Sequence, residues 1–172
     1  MDIHYLNHAD VTRLALSDEE IIAAVEDALK AQGLGEATIE PRMHLVPEKD
    51  YPGHVNVLRG YLRPLRMAGV KIVGDFYRNY EQGLPSELAL LNLFDPANGA
   101  PLAVIDASDI TDMRTGAVTA IGAKYLAPDR PRVLGHIGAR GTSFWNVKLL
   151  DSLFHFDEIR IHSRRAESRL PP

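Results

Sequence analysis

The stretch VLGHIGARGTSFWN, residues 133–146, has the residue pattern of a loop that binds a dinucleotide. An apolar run meets a turn that contains glycines, and a helical pattern begins directly after the turn. Free backbone N–H groups and the positive end of a helix favour a pyrophosphate at such a place. The pattern therefore predicts a binding site for a phosphate-bearing cofactor.

Individual positions of this loop depart from the usual G-x-G-x-x-G fingerprint. Gly138 takes the first position, which makes the tight turn, and Ser143 takes the third, where a small residue allows helix packing. Arg140 stands at the second position, where glycine normally lets the phosphate approach, and whether it blocks the dinucleotide is open. Gly141 restores backbone access one residue later, and Thr142 or Ser143 is expected to cap the helix. Taken alone, the loop fits a cofactor site and a turn without ligand about equally.

The end of the following strand, EIRIH, favours one cofactor. NAD-selective sites carry Asp or Glu at this place, whereas here the strand runs into Ser163, Arg164 and Arg165. A hydroxyl followed by guanidinium groups suits the 2′-phosphate of NADP, because arginine binds phosphate through a bidentate fork. A solvated basic turn is the alternative. Together with the loop, these residues predict NAD(P) binding with NADP(H) favoured over NAD.

Three cations stand in apolar or small-residue surroundings upstream of the loop. Arg42 follows Pro41 in an apolar strand segment, Lys71 is flanked by valines and an isoleucine, and Arg114 lies on a helix rich in small residues. If the three converge, they form a clamp for a carboxylate, with Lys71 as a point charge or a proton-transfer group. For each cation alone, a structural ion pair or a snorkelling side chain is the commoner use.

The secondary-structure pattern predicts an α/β protein with two parts. A helix begins at Ser17, which forms a capping box with Glu20, and ends at Gly33 or Gly35. Residues 38–106 are expected to form a mostly antiparallel sheet, with a hairpin turn at residues 95–99, and a helix at residues 108–127 follows.

The second part begins after the sequence PDRPR, which breaks the helical pattern. A strand, a helix and a second strand then form one parallel βαβ unit, which is only part of a doubly wound nucleotide fold. We therefore predict an α+β domain at residues 1–127 and the incomplete start of a Rossmann domain at residues 128–172.

Composition excludes several function classes. The 172 residues contain no cysteine, which removes disulfides, thiolate zinc sites and thiol nucleophiles. A net charge of -4 gives no electrostatic reason to expect nucleic acid or an anionic membrane as partner. The seven histidines show no metal-ligand spacing, and neither a signal peptide nor a membrane span is recognisable. A cytoplasmic protein without a metal site is expected.

The stretch from Gly69 to Gly138 resembles the ornithine cyclodeaminase/mu-crystallin family. The specific features are the Val-Lys strand at Lys71, the GLPS loop, the aspartate-glycine hairpin, the Arg-Thr-Gly-Ala start at Arg114 and the dinucleotide loop. The resemblance extends over nearly the whole chain. It implies a substrate-binding and dimerisation domain, a Rossmann domain and a homodimer. It also implies an activity, because members of the family oxidise the Cα–N bond of amino acids or reduce cyclic imines with a nicotinamide cofactor.

The resemblance also implies roles for individual residues. By position, Arg42, Lys71 and Arg114 correspond to residues around the substrate carboxylate, and Lys71 is the candidate catalytic residue in this chain. Ser163 falls where NAD-using members carry Asp. The candidate cofactor-binding residues are Ser86, Arg114, Gly138, Gly141, Thr142, Ser163, Arg164 and Arg165.

The catalytic aspartate of the family lies in the second half of the Rossmann domain, which these 172 residues lack. We therefore expect a fragment that is not a competent catalyst alone, taken from an ornithine cyclodeaminase-like parent. One alternative is a ketimine or pyrroline-2-carboxylate reductase that uses NADPH. A second is a non-catalytic protein that binds NADPH or a small ligand, as in mu-crystallin relatives, and a third is an inactive truncated product.

Overall fold

The computed structural model describes residues 2–48, 50–139 and 141–164 and shows a mixed α/β fold. The predicted fold class is therefore confirmed. Two short 3-10 helices at Arg63–Leu65 and Asn79–Gln82 lie between strands. The strands are β1 (His4–Leu6), β2 (Ala37–Ile39), β3 (Met43–Leu45), β4 (Gly53–Leu62), β5 (Met67–Phe76), β6 (Glu87–Phe94), β7 (Pro101–Asp106), β8 (Val133–Ile137) and β9 (Glu158–His162). The helices are α1 (His8–Arg13), α2 (Asp18–Gly33), α3 (Ser108–Leu126) and α4 (Thr142–Phe154).

The first sheet has seven strands in the order β1-β7-β6-β5-β4-β2, with β3 paired to β4. Every pairing from β2 to β7 is antiparallel, and β1 joins β7 in parallel. The predicted turn closes the β6–β7 hairpin, because the N–H of Gly99 donates to the carbonyl of Asp95 at 2.8 Å. Gly99 has φ +75, a conformation that favours glycine. The prediction of a mostly antiparallel sheet is confirmed.

One face of this sheet carries both a small core and Lys71. The register pairs Leu58 with Lys71 and Lys71 with Leu91, so the three side chains point to the same side. Two residues further along, Val73 pairs with Ala89 and packs with Ala107 in a buried cluster. Lys71 therefore lies at the border of an apolar core.

Helix α2 begins and ends as hydrogen-bonding rules require. The N–H of Ser17 donates to Glu20 at 2.8 Å and the N–H of Glu20 donates to the Ser17 hydroxyl at 3.2 Å, which confirms the capping box. Gly35 rather than Gly33 provides the left-handed residue that ends the helix, with φ +72. The N–H of Glu36 then reaches the carbonyl of Ala31 at 2.7 Å, as in a Schellman motif.

Helices α3 and α4 pack closely through small residues. Ala117 and Ala120 are fully buried beside Leu149 in one apolar cluster. A Cβ added at Gly116 would lie 2.6 Å from the backbone carbon and oxygen of Trp145, closer than real Cβ atoms approach. The small residues of α3 therefore allow the two helices to approach closely.

Strands β8 and β9 form a separate two-stranded parallel sheet, with helix α4 between them in the chain. The parallel βαβ unit is as predicted.

The chain divides into two compact units. The first contains the residues up to Ala15 together with Asp27–Thr111, and the second contains Leu16–Glu26 and the chain from Asp112 onward. The domain boundary predicted between residues 127 and 128 stays a prediction. In the part of the chain that the structure describes, no helix is both long and apolar enough to cross a membrane.

Candidate functional site

The turn after β8 requires glycine at Gly138 for two reasons. Its φ of +113 lies in the region that side chains rarely adopt, and a Cβ there would lie 2.9 Å from the Ser143 hydroxyl oxygen. The N–H of Gly138 donates to the carbonyl of His162 at 2.8 Å, which ties the turn to the end of β9. The predicted dinucleotide loop therefore has no room for a side chain at its first glycine.

The helix that follows begins without a side-chain cap. Gly141 is the N-cap residue, with φ 54 and ψ -127, and no side chain of the described residues caps α4 from this position. The expectation that Thr142 or Ser143 caps the helix is thus wrong. Gly141 occupies the N-cap position and Thr142 is already the first residue of the helix, and its hydroxyl donates to Oδ1 of Asp112 on α3 at 2.7 Å.

The end of β9 lies at the same end of the small sheet as the glycine turn. The register pairs Ile137 with His162, so Gly138 and Ser163 follow two neighbouring strand ends. Ser163 is half-buried and Arg164 is exposed. Two of the residues considered for cofactor binding, Arg140 and Arg165, lie outside the described residues.

Lys71 is held by a buried threonine. Its Nζ donates to Oγ1 of Thr111 at 3.1 Å, and the Thr111 hydroxyl donates to the carbonyl of Ala107 at 2.7 Å. Thr111 is only 4% exposed, so its hydroxyl has little freedom to turn elsewhere. The threonine oxygen is therefore fixed as an acceptor that directs the ammonium group of a half-buried lysine.

Lys71 also lines an open groove on its face of the sheet. The groove has a volume of about 370 Å³, and leucines, glycines and a methionine make up most of its wall, among them Leu58, Gly69, Leu91 and Leu93. The wall is mostly apolar, and the positively charged side chains among its described residues are those of Lys71 and Arg59.

Arg42 directly precedes β3 and is exposed, rather than lying within a strand. The register pairs Met43 with Val57 and Leu58 with Lys71, so continuing it by one residue places Arg42 in the row of Lys71. Two strand spacings separate the backbones in such a row, roughly 10 Å. The sheet thus places two of the three cations that were predicted to bind a carboxylate in one row, on either side of β4.

The remaining candidates are placed as follows. Arg114 is exposed on α3, three residues beyond Thr111, and its convergence with Arg42 and Lys71 stays a prediction. Ser86 is exposed directly before β6, where its carbonyl accepts from the N–H of Phe76 at 2.8 Å.

Two polar residues of α3 that sequence reasoning missed are central to this geometry. Thr111 holds Lys71, and Asp112 holds Thr142. Both residues lie within three positions before Arg114, but their partners lie 40 and 30 residues away in the chain. No local pattern indicates such pairs. Among the described residues, no group of three His, Asp or Glu side chains is arranged to hold a metal ion.

Curated proteins similar to this chain include dehydrogenases and reductases. Alanine dehydrogenase of Archaeoglobus fulgidus is 34% identical over 168 residues, which are 98% of this chain and 50% of the relative. Ketimine reductase mu-crystallin of Rattus norvegicus is 30% identical over 166 residues, 95% of this chain and 53% of the relative. The chain spans about half the length of these relatives.

Solved structures show the same fold over the same extent. An archaeal alanine dehydrogenase dimer with bound NAD has a TM-score of 0.90 and 33% identity, covering 98% of this chain and 51% of that one. The Δ1-pyrroline-2-carboxylate reductase of Thermococcus litoralis, in complex with NADH and L-proline, has a TM-score of 0.92 and 30% identity, covering 96% and 51%. A family model described as the ornithine cyclodeaminase/mu-crystallin family matches residues 2–170. The predicted resemblance is confirmed, and this chain belongs to the ornithine cyclodeaminase/mu-crystallin family.

Proposed function

We propose that this chain is part of a nicotinamide-dependent oxidoreductase that acts on the Cα–N bond of an amino acid or a cyclic imine. The observation that carries this proposal is the turn between β8 and α4, where Gly138 and Gly141 expose backbone before a helix without a side-chain cap. Family membership supports the same activity. Similar proteins are named for the dehydrogenation of alanine and the reduction of ketimines and pyrroline-2-carboxylate.

The residues of the turn fit a dinucleotide. Gly138 has no room for a side chain, and Gly141 has a backbone conformation that favours glycine. Gly138, Gly141 and Thr142 are proposed to lie against the pyrophosphate, with Ser86 and Arg114 as further contacts to the cofactor. When bound, the nicotinamide supplies hydride transfer.

The three cations are proposed to bind the α-carboxylate of the substrate. Arg42 and Arg114 offer guanidinium forks, which match a carboxylate in shape and charge. Lys71, positioned by Thr111, is proposed to hold or move a proton at its Nζ, to or from the substrate nitrogen or a water molecule. Fixing the carboxylate orients the Cα–N bond, so most of the contribution of these residues is positioning.

NADP(H) is the proposed cofactor. No acidic residue stands at Ser163, where it would repel a 2′-phosphate, and Arg164 follows with an exposed guanidinium. We expect Ser163→Asp to weaken NADPH binding by about tenfold and to leave NADH binding within a factor of about two, as measured by fluorescence titration. Equal effects on both cofactors would contradict this choice.

A homodimer is also proposed, with an apolar face of the large sheet as its interface. Ile72 and Leu90 pair across β5 and β6 and are 40% and 50% exposed, and Leu88 beside them is 43% exposed. Contiguous exposed apolar side chains of this kind usually mark an interface. Leu90→Glu should give a monomer in light scattering, whereas Leu34→Glu, at a residue 76% exposed after α2, should not change the mass. A dimer of unchanged mass with Leu90→Glu would exclude this face.

The activity is tested on the protein expressed from its natural gene. Pyrroline-2-carboxylate with NADPH and L-ornithine with NAD⁺ separate the reductive from the oxidative direction. Lys71→Met should lower turnover in the active direction, and Lys30→Met, at an exposed lysine paired with Asp27, should not. Turnover that is unchanged by Lys71→Met would remove the role of Lys71.

Two of the alternatives make different predictions in the same assays. A non-catalytic binding protein would melt at a higher temperature with NADPH and turn over none of the substrates. The fragment alternative predicts that the 172 residues alone turn over none of these substrates, whereas the protein from the natural gene does. A cytoplasmic location also stays a prediction.

A further inference from the structure

Asp112 makes a short hydrogen bond to the first residue of the helix that follows the dinucleotide loop. Its Oδ1 accepts from the Thr142 hydroxyl at 2.7 Å, and both side chains are half-buried. Hydrogen bonds to an ionised carboxylate are about twice as strong as neutral ones. This contact therefore restrains the start of α4 more firmly than an ordinary surface hydrogen bond.

A second close contact lies one turn further along both helices. Gly116 of α3 lies against the backbone of Trp145, at a separation that leaves no space for a Cβ. Because Asp112 and Gly116 are four residues apart and Thr142 and Trp145 are three apart, consecutive turns of α3 hold the first turn of α4. The position of the α4 N-terminus is thus defined by α3 and not by the loop.

The loop itself provides little restraint. Gly138 and Gly141 are conformationally permissive, and no side chain of the described residues caps α4 from the N-cap position. Glycine at the N-cap position has no side-chain acceptor, so the first N–H groups of α4 have no capping partner from that position. Asp112 offsets this weakness from outside the loop.

The direction of the hydrogen bond also decides what Thr142 offers to a ligand. The single proton of the hydroxyl points to Asp112, so only oxygen lone pairs remain for other partners. Thr142 can then offer an anion at this helix start its backbone N–H but not its hydroxyl proton. A side chain that accepts this hydrogen bond and restrains the backbone N–H groups would arrange them for a phosphate before the phosphate binds.

We infer that Asp112 is a positioning residue for the cofactor: it holds Thr142 so that the backbone N–H groups at the start of α4 are preorganised for the pyrophosphate. The inference rests on the proposed function. Preorganisation raises affinity because fewer groups must be ordered on binding. The negative charge of Asp112 opposes phosphate binding, so its benefit must come from the hydrogen bond.

The experiment separates the effect of the Asp112 charge from that of its hydrogen bond. It measures the Kd for NADPH and NADH by fluorescence titration of the natural gene product. Asp112→Ala should raise Kd by about tenfold, or ~1.4 kcal/mol. Asp112→Asn keeps an acceptor for Thr142 without the charge and should bind within about twofold of wild type or more tightly. Asp109→Ala, which removes another carboxylate of the same helix, is the control and should leave both Kd values unchanged.

Variants of Thr142 test the same bond from its other end. Thr142→Val should weaken binding as Asp112→Ala does, Thr142→Ser should restore it, and the double variant should be no weaker than either single one. For Asp112→Ala, the loss should appear in the KM for the cofactor and not in kcat, because a positioning role changes cofactor affinity and not the hydride step.

Two results would overturn the inference alone. One is wild-type affinity in both Asp112→Ala and Thr142→Val, and the other is an Asp112→Asn variant as weak as Asp112→Ala. A wild-type protein that binds neither nucleotide would overturn the proposed function and this inference with it.

Discussion

Lys71 donates a hydrogen bond from its Nζ to Oγ1 of Thr111 at 3.1 Å, across 40 residues of chain. Thr111 is buried and passes its own proton to the carbonyl of Ala107, so its oxygen can only accept. The lysine is thereby aimed by a helix residue that has no charge of its own. A hydroxyl in this role orients the ammonium group of Lys71 without itself neutralising the charge.

Thr111→Val keeps the shape of the side chain and removes the acceptor for Lys71. We expect kcat/KM of the natural gene product to fall about tenfold, or ~1.4 kcal/mol, because the lysine loses its orientation. Thr119→Val is the matched control, since the exposed Thr119 makes the same backward bond to the carbonyl four residues earlier. Equal kinetics for the two variants would show that Thr111 does not position Lys71.

Gly116→Ala should destabilise the protein by about 1–3 kcal/mol, because the new methyl group would overlap the Trp145 backbone. Gly122→Ala, in the same helix with nothing within 4 Å of its Cβ, should stabilise it by about 0.5–1 kcal/mol through helix propensity. Chemical denaturation of both variants checks the pair. If Gly116→Ala were as stable as Gly122→Ala, the close approach of the helices would be wrong.

Lys124→Met should destabilise the protein more than Lys30→Met does. Glu26 is 8% exposed and accepts from Lys124 Nζ at 2.9 and 3.0 Å, which raises the pKa of Lys124, whereas Lys30 pairs with Asp27 at the surface. The Lys124 substitution leaves a buried carboxylate without its charged partner, which is costly. The Lys30 substitution leaves only Asp27, whose carboxylate is solvated at the surface. Melting temperatures at neutral pH measure the difference. Equal shifts would show that Glu26 does not depend on Lys124.

Glu20→Gln should destabilise the protein in a pH-dependent way. The backbone N–H of Ser17, and then its hydroxyl, lower the pKa of Glu20 below its ordinary value of 4.5. A carboxyl with a lowered pKa stabilises the fold fully above 4.5 and loses that contribution as pH falls through its folded pKa. Wild type should therefore exceed Glu20→Gln in unfolding free energy at neutral pH, and the gap should close in acid.

Glu19→Gln serves as the control for this pH series. It removes a charge from the same helical turn at an exposed residue without removing the bond to Ser17. A gap between wild type and Glu20→Gln that stays constant into acid would mean that the carboxylate bond to Ser17 contributes nothing.

The secondary structure followed from sequence because its causes are local. The capping box at Ser17 and the hairpin turn at Asp95 to Gly99 depend on residues within a few positions of each other. The parallel βαβ unit follows from the order of a strand, a helix and a second strand along the chain. Apolar periodicity is a poorer guide to burial in α2. Leu29 lies on the apolar stripe of this helix, yet it is 40% exposed, while the charged Glu26 is buried and bonds to Lys124 and Tyr125.

The sequence by itself determined the family, the fold class and the type of each candidate residue, because motif spacing and hydrophobic periodicity are properties of the chain. Only the tertiary structure decided that Thr111 holds Lys71 and that Asp112, not a cap, holds Thr142. Pairs separated by tens of residues depend on which faces of helices and strands come together. Burial and packing choose those faces, and no window of sequence contains both partners.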